Sequence, residues 1–375
     1  PIPYTQMKAG DTEAPYDNEQ TVWHAMFDDL DNAITILKSA ATFGVNQDLA
    51  VVDQFYKGDC SKWLKFANTL KLRMAIRISG VEYAQTKAEE AVLGGVMESV
   101  GDSSYDTTNG GINENGYAIV SGWPEVRANA CLVSYMNGYN DPRRSKYFVP
   151  SEWGEGYEYV GIRRSINRST LGTDAHKYSG VNVAQGDPVV WMNAAEVAFL
   201  RAEAVAVFNF SGMGGTAHDF YKKGVELSFE QWGAGSATNY LDDAVSKPAI
   251  YNDPSGMNSY GSQLSAITIK WNDSDTPDVK QERIITQKWI ANWMLGNEAW
   301  ADFRRTGYPR LIPADPAGNK SGGVVDNELG ARRMPFPTDE YISNKENVET
   351  AVSNYLNGKD NYATRVWWDC NFNIR

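Results

Sequence analysis

The chain is poor in the residues that build redox and metal sites. Its 375 residues contain three cysteines, Cys60, Cys131 and Cys370, and three histidines. The cysteines lie far apart, without the Cys-x-x-Cys or Cys/His spacing of a zinc site, and an odd number cannot be fully paired within one chain. We therefore expect buried, inert thiols and no metal. The isolated histidines show no metalloprotease spacing.

Positive charge and long apolar runs are also scarce. Lys and Arg number 35 against 47 Asp and Glu, which gives a formal net charge of −12. This balance argues against nucleic acid as a partner, because phosphate binding needs clustered basic side chains. It argues equally against adhesion to an anionic membrane surface. No apolar run is long enough to span a bilayer, and the sequence shows no nucleophile elbow or phosphate-binding loop. It does not predict an enzyme.

Helical periodicity appears in a first block near the N-terminus. Asp17 with Gln20 three residues later resembles a capping box that opens a helix. A second helix is predicted after Ser61, and a shorter one over 82–93. Their apolar stripes are too short for a coiled coil, so we expect antiparallel packing faces.

The same pattern returns after residue 190. Helices are predicted over 194–208, from Thr216 with Asp219, and over about 280–304. The pairs have the size of tetratricopeptide (TPR) units without a strict 34-residue repeat. We therefore predict a mainly α fold, as one domain over 1–375. Its helical scaffold would comprise 17–97, 192–232 and 280–305.

Two loop-rich insertions, 98–190 and 233–277, separate the scaffold segments. Both are rich in Gly, Asn, Ser and Tyr. Loops of this length are usually functional or disordered, and their aromatic residues argue against disorder. We expect ordered excursions that carry the function.

Loop aromatics are the candidate carbohydrate-binding residues, because a flat ring stacks against the C–H face of a sugar. Each such contact contributes about 0.5–1.5 kcal/mol beyond area burial. Trp153, Tyr157 and Tyr159 lie in a glycine-punctuated loop without apolar period, and Tyr105 and Tyr178 lie in similar surroundings. The alternative for Tyr157 and Tyr159 is one face of a short strand.

Other chemical motifs are interpreted as structural. Trp289, Trp293 and Trp300 fall at helical spacing and are predicted to be core. Glu298, Asp302 and Arg305 are predicted to form a carboxylate–arginine clamp on one helix. The segment 273–278, DSDTPD, resembles a calcium loop but lacks the required glycine and glutamate. We interpret it as a solvated acidic turn, with bound calcium as the alternative.

Three C-terminal motifs occur in a fixed order. They are QKWIANWMLGNEAWADFRRTGYP over 287–309, RRMPFP over 332–337 and TRVWWD over 364–369. With NDPR over 140–143, they resemble the SusD/RagB-like family, in particular its starch-binding-associated branch. The resemblance is strongest over 281–369 and moderate over 19–79 and 192–232. It implies a right-handed scaffold of TPR-like helical pairs with long loop excursions, and a structural role for Trp367 and Trp368.

The resemblance also implies a function. Members are surface lipoproteins of the Bacteroidetes outer membrane that capture glycans, or in some members peptides. They deliver this cargo to a SusC-like TonB-dependent transporter. The implied ligand is thus an oligosaccharide, without cofactor, metal or catalytic residue. The implied membrane attachment is an N-terminal lipid anchor absent from this chain, which we expect to be truncated before Pro1.

Three alternatives stay open at this point. The first is a peptide-binding member of the same family. The second is a glycoside hydrolase, which needs two carboxylates at a fixed separation. The third is a helical scaffold that binds only proteins. The resemblance does not cover the loops, so the candidate contacts rest on loop composition.

Overall fold

The structure, a computed structural model, describes residues 1–8, 10–11, 13–107, 115–123 and 126–370. In these residues the chain is mainly helical, as predicted. The helices follow in chain order as α1 (Glu19–Ala41), α2 (Gln47–Ala50), α3 (Cys60–Ile78), α4 (Gln85–Leu93), α5 (Gly116–Ser121), α6 (Ala130–Gly138), α7 (Arg144–Tyr147), α8 (Ala194–Ala206), α9 (Ala217–Gln231), α10 (Thr238–Leu241), α11 (Pro277–Ala291), α12 (Gly296–Thr306), α13 (Glu340–Ser343) and α14 (Lys345–Tyr355). Two short strands, β1 (Ser104–Asp106) and β2 (Val189–Met192), pair antiparallel.

Helix starts follow their capping residues. Thr216 caps α9, and its hydroxyl accepts from the backbone N–H of Asp219 at 3.1 Å, as the sequence predicts. The start of α1 differs by one residue from the prediction. Asn18 is the N-cap, while the Asp17 carboxylate accepts from the backbone N–H of Thr5 at 2.7 Å. Asp17 therefore ties down the preceding segment instead of opening the helix.

The scaffold is built from packed helix pairs. Helix α8 packs along α9, α1 along α3, and α3 along α4, while α11 lies against both α8 and α9. Leu72, Ala202, Val225 and Ile284 from four of these helices are completely buried. One continuous apolar core therefore joins the two periodic blocks of the sequence.

The predicted helix over 280–304 is two helices, α11 and α12. The chain turns at 292–295, where Met294 has φ of 73°. This left-handed conformation is uncommon for a residue other than glycine, and it cannot continue a right-handed helix. The prediction of one helix is wrong because the periodicity on both sides of the turn hides the break.

Helix α6 lies inside the predicted loop-rich insertion 98–190. Its residues 130–136 are all buried, so it has no polar face. A helix that is apolar all round carries no amphipathic period. Sequence periodicity therefore missed a core helix, and the insertion is partly scaffold.

Gly138 ends α6 where the backbone of 247–249 crosses it. A Cβ at this position would lie 2.0 Å from the carbonyl oxygen of Lys247. Because this neighbour is backbone, Gly138→Ala is expected to destabilise the protein by about 1–3 kcal/mol, measured by urea unfolding. The control is Gly261→Ala, where the added Cβ would meet nothing within 4 Å. Equal stability of the two variants would contradict this prediction.

A buried network of alternating charges joins α8, α11 and α12. Arg305 donates to both carboxylate oxygens of Glu203, at 2.6 and 2.7 Å, and pairs with Asp302 at 2.8 Å. Lys288 pairs with Asp302 at 2.8 Å and lies 3.5 Å from Glu196. Burial opposes ionisation of Asp302, but Lys288 and Arg305 outweigh it and hold its pKa well below the ordinary value. Asp302 and Arg305 thus form the predicted clamp within a larger network, whereas Glu298, also predicted to take part, pairs instead with Arg77 of α3 at 2.5 Å.

The last of the three C-terminal motifs, TRVWWD over 364–369, packs on α12. The Arg304 guanidinium lies 3.6 Å from the centroid of the Trp300 ring and 4.5 Å from that of Trp368. Arg332 donates through Nε to Asp369 at 2.7 Å, and both side chains are buried. The structural role that the resemblance implies for Trp368 fits these contacts.

The first and last segments of the described chain are joined. The Glu19 carboxylate accepts from the backbone N–H of Trp367, and the Tyr16 hydroxyl donates to Glu340. The Asn344 side chain donates to the carbonyl of Ala14 at 3.0 Å. These contacts bridge more than 320 residues of sequence and seat the start of α1 beside the C-terminal segment.

Candidate functional site

Trp153 and Tyr178, predicted to be ligand contacts, form a packed pair. Their rings meet edge to face at 5.5 Å, with the Lys177 ammonium 4.9 Å above Trp153. Only 2% of Tyr178 is exposed, and its hydroxyl donates to the buried Asp253 carboxylate. Burial and this hydrogen bond raise the pKa of Tyr178. In this structure, Tyr178 braces the loop and has no ring face open to a sugar.

Tyr157 and Tyr159, also predicted contacts, line an open cleft of about 600 Å³. We call it the tyrosine cleft, bounded by α6, the loop 156–161 and the segment 249–252. Tyr157 is half-buried, whereas only 8% of Tyr159 is exposed. The Arg144 guanidinium lies 4.8 Å from the centroid of the Tyr159 ring. The structure therefore brings these two predicted residues together.

Tyr105 lies apart from the other four. It is half-buried on β1, in register with Val190 of β2. Burial raises the pKa of its hydroxyl. The neighbouring Trp191 rests on Phe55, with ring centroids 4.7 Å apart. Tyr105 thus belongs to the small sheet and does not line the tyrosine cleft.

A second concavity, of about 390 Å³, is walled by five aromatic residues. Trp289 lies near the end of α11, Trp293 in the turn that follows it, Trp300 and Phe303 on α12, and Tyr117 on α5. We call it the tryptophan cavity. These three tryptophans, predicted to be core, are half-buried: Trp289 and Trp293 pack against the core and also line the cavity. The turn at 292–295 places Trp293 outside α11 and puts Trp300 on a separate helix, α12.

The walls of the tryptophan cavity are held in place by specific contacts. The Trp293 ring stacks on the buried Tyr147 ring at 5.0 Å, with an interplanar angle of 5°. The Tyr117 hydroxyl donates to the carbonyl of Met294 at 3.0 Å, which ties α5 to the turn between α11 and α12. The Trp300 indole N–H donates to the carbonyl of Ala331 at 2.9 Å. A cavity braced in this way is pre-formed, as ligand sites usually are.

Polar side chains at the tryptophan cavity have partners on the protein. Asn292 accepts from Asn193 at 2.9 Å, and Asn129 caps α6. Arg164 donates to the carbonyl of Ile312 at 3.2 Å, and burial lowers the pKa of this guanidinium. Among the described lining residues, none is Asp or Glu. The cavity combines aromatic faces with amides and one cation.

Trp123 is an open aromatic platform close in sequence to this cavity. It follows α5 by two residues, and 57% of it is exposed. In the chain it stands midway between the lining residues Tyr117 and Asn129. The Arg127 side chain fixes its backbone by donating to the Trp123 carbonyl at 2.8 Å. A tryptophan between Gly122 and Pro124, without apolar period, was the sequence signal that our prediction missed.

The acidic segment 273–278 is engaged by protein groups. Asp275 pairs with Arg283 at 2.6 Å, and Asp273 accepts from the Trp271 indole N–H at 2.7 Å. In the described part of the chain, no three His, Cys, Asp or Glu side chains are grouped to hold a metal ion. The contacts give these carboxylates structural partners at the start of α11.

Comparison with known proteins shows the family. Residues 1–369 match the family described as SusD-like, Susd and RagB outer membrane lipoprotein. The chain belongs to the SusD-like family. The resemblance stated from the C-terminal motifs is therefore confirmed. No curated protein matches the chain significantly.

Solved SusD-like structures share the fold. A SusD-like protein from Bacteroides thetaiotaomicron is 62% identical, with a TM-score of 0.92 over 98% of this chain and 76% of its own. A SusD homologue from Bacteroides uniformis is 50% identical, with a TM-score of 0.93 over 98% of this chain and 77% of its own. A chitin-binding SusD homologue from Flavobacterium johnsoniae is 38% identical, with a TM-score of 0.92 over 99% and 77%. The TPR-like helical architecture is confirmed.

Membership in the family indicates the general function and the cellular location of this SusD-like protein. SusD-like proteins bind nutrients, and the family is one of outer membrane lipoproteins, which supports an outer-membrane location. Within the described residues, no helix is both long and apolar enough to cross a membrane.

Proposed function

We propose that this SusD-like protein captures oligosaccharides at the tryptophan cavity and releases them uncleaved. The observation that carries the proposal is a pre-formed cavity walled by Trp289, Trp293, Trp300 and Tyr117, with the exposed Trp123 six residues after Tyr117 in the chain. A sugar ring stacks on such faces through its C–H groups. The chitin-binding relative from Flavobacterium johnsoniae supports a glycan as ligand class.

The expected affinity is low. Two or three stacked rings contribute about 0.5–1.5 kcal/mol each beyond area burial. A dissociation constant between millimolar and micromolar corresponds to about −4 to −8 kcal/mol. Capture of this strength suits a protein that must hand over its cargo.

Trp123→Ala tests the proposal. We expect it to weaken binding of soluble chitin oligosaccharides by about tenfold, since a stacking platform is lost. The melting temperature should stay nearly unchanged because the ring is exposed. Affinity electrophoresis and calorimetry measure binding, and a wider glycan panel covers other sugars.

The matched control is Trp191→Ala. Trp191 is 51% exposed, similar to Trp123, but lies on β2, outside the stretch 117–129 whose two end residues line the cavity. It should leave glycan binding unaffected. Equal loss of binding in both variants, or none in either, would sink the assignment of the tryptophan cavity.

Two alternatives give different results in the same assays. A peptide-binding member would retain a peptide mixture and ignore the glycan panel. A glycoside hydrolase would release reducing ends, and a single carboxylate substitution would abolish this release. The described lining of the tryptophan cavity offers no carboxylate, and two are needed for that chemistry.

Delivery to a transporter completes the proposal. We propose that the full-length protein is a surface-exposed lipoprotein that docks on a SusC-like TonB-dependent transporter. Docking raises the effective concentration of cargo at the pore, so tight affinity is not required. Tagged full-length lipoprotein should co-purify with that transporter in mild detergent. Failure to co-purify, with unimpaired glycan uptake after deletion, would overturn this part.

A further inference from the structure

Three arginines of this protein bind a carboxylate through the edge formed by Nε and Nη2. Nε and Nη2 of a guanidinium point in parallel and match the two oxygens of a carboxylate. Arg73 uses this edge on Glu196, at 2.9 and 2.5 Å, and Arg143 uses it on Asp141, at 2.9 and 2.6 Å. Arg332 grips Asp369 in the same way. The edge is therefore a recurrent carboxylate-binding unit of this fold.

Arg144 presents the same edge without an occupant. Its Nη1 donates to the Asn137 side-chain oxygen at 2.9 Å, and its guanidinium lies over the Tyr159 ring at 4.8 Å. In the part of the chain that the structure describes, Nε and Nη2 of Arg144 have no hydrogen-bond acceptor, and no carboxylate lies within ion-pair distance. The side chain is half-buried, so amide and ring fix it before any ligand arrives.

The Arg144 side chain lines the tyrosine cleft. Arg144, Tyr157 and Tyr159 all line this space of about 600 Å³, which is large enough for sugar rings. Ile250 on the opposite segment is 44% exposed and adds an apolar surface. The one acidic side chain among the described lining residues is the exposed Glu158. The cleft therefore combines aromatic rings with a pre-positioned cation, although the chain as a whole has a net charge of −12.

We propose that the tyrosine cleft is a second carbohydrate site, specific for a uronic acid whose carboxylate occupies the Nε–Nη2 edge of Arg144. The sugar ring would contact Tyr157 and Ile250, while Tyr159 supports the guanidinium from below. Helix α6 contributes lining residues to both this cleft and the tryptophan cavity. The two proposed sites bind different classes of sugar. The proposal for the tyrosine cleft therefore does not depend on the assignment of the tryptophan cavity.

The test compares acidic oligosaccharides with their own methyl esters. Tetramers of galacturonate and glucuronate, free and fully esterified, are titrated calorimetrically into the protein. Esterification removes the charge and keeps the rings. At least one free acid should bind about tenfold or more tightly than its ester, as a charge-assisted bidentate contact requires.

Variants of Arg144 locate the effect. Arg144→Gln should remove the preference for the free acid, and Arg144→Lys should restore only part of it, because a lysine lacks the bidentate edge. The control is Arg310→Gln, which removes one positive charge from a half-exposed side chain outside the cleft and should change nothing. Melting temperatures of all variants establish that they are folded.

Several outcomes would overturn the proposal. They are no binding of either uronate, equal affinity for the free acid and its ester, and an equal loss of the preference for the free acid in the Arg144 and Arg310 variants. Binding of a sulfated neutral oligosaccharide in preference to both uronates would also reject the carboxylate assignment. Trp123→Ala should leave uronate binding unchanged, so failure at the tryptophan cavity is distinguishable from failure here.

Discussion

Replacing Glu203 with alanine is expected to lower the free energy of unfolding by about 3–5 kcal/mol, because it breaks a buried ion pair and leaves the Arg305 guanidinium with Asp302 as its one remaining carboxylate partner. Glu203 is completely buried and accepts two hydrogen bonds from Arg305, which is itself 5% exposed. The amide of Gln281 also loses its acceptor, now 2.9 Å away. Urea unfolding at neutral pH measures the change.

The control is Glu98→Ala, which removes an ion pair at the surface. Glu98 pairs with Arg201 at 2.8 Å but is 67% exposed, so its loss should cost less than about 1 kcal/mol. The double variant Glu203→Ala with Arg305→Leu should recover part of the stability, since it removes both charges of the pair and Asp302 keeps Lys288 as its partner. Similar small effects in the Glu203 and Glu98 variants would show that the network does not stabilise the fold.

Acid is expected to weaken the same network. The pKa of Asp302 in the folded protein lies well below its ordinary value, because Lys288 and Arg305 outweigh the effect of burial. A carboxyl with a depressed folded pKa contributes stability above its unfolded pKa, and this contribution is lost as pH falls toward the folded value. A single such group contributes about 2–3 kcal/mol at neutral pH. Unfolding free energies at pH 7, 5 and 3 should therefore decrease in that order.

Asp302→Asn separates this carboxyl from the others. The variant is less stable at pH 7, but it has no proton to take up at residue 302. Its loss of stability between pH 7 and pH 3 should be smaller than that of the wild type. Parallel pH dependences for the two proteins would show that Asp302 does not govern acid sensitivity.

Much of the scaffold follows from sequence because its helices have one apolar face. Helices α1, α3 and α9 bury one side and expose the other, so their apolar residues recur at helical spacing. Helix α6 lacks that signal because it is buried all round. The break at Met294 lacks it because the residues on both sides keep a helical period.

The candidate site could be predicted only where loop composition reflects exposure. Tyr157 lies in a glycine-punctuated loop and does line a cleft. Tyr178 has similar neighbours in sequence, but a contact with Asp253, 75 residues away, buries it. Trp293 and Trp300 looked like core because the turn that directs them to a cavity has no clear sequence signal. Long-range contacts, rather than local composition, decide these assignments.

The joined ends of the chain set the order in which the fold can close. Tyr16 and Glu19 have hydrogen-bond partners at Glu340 and Trp367. A chain made at about 5–20 residues per second supplies those partners tens of seconds after the first helix. Until then, α1 is held by its packing on α3. Closure of this junction therefore waits for residues 340–367, and partial chains expose apolar surface that favours aggregation.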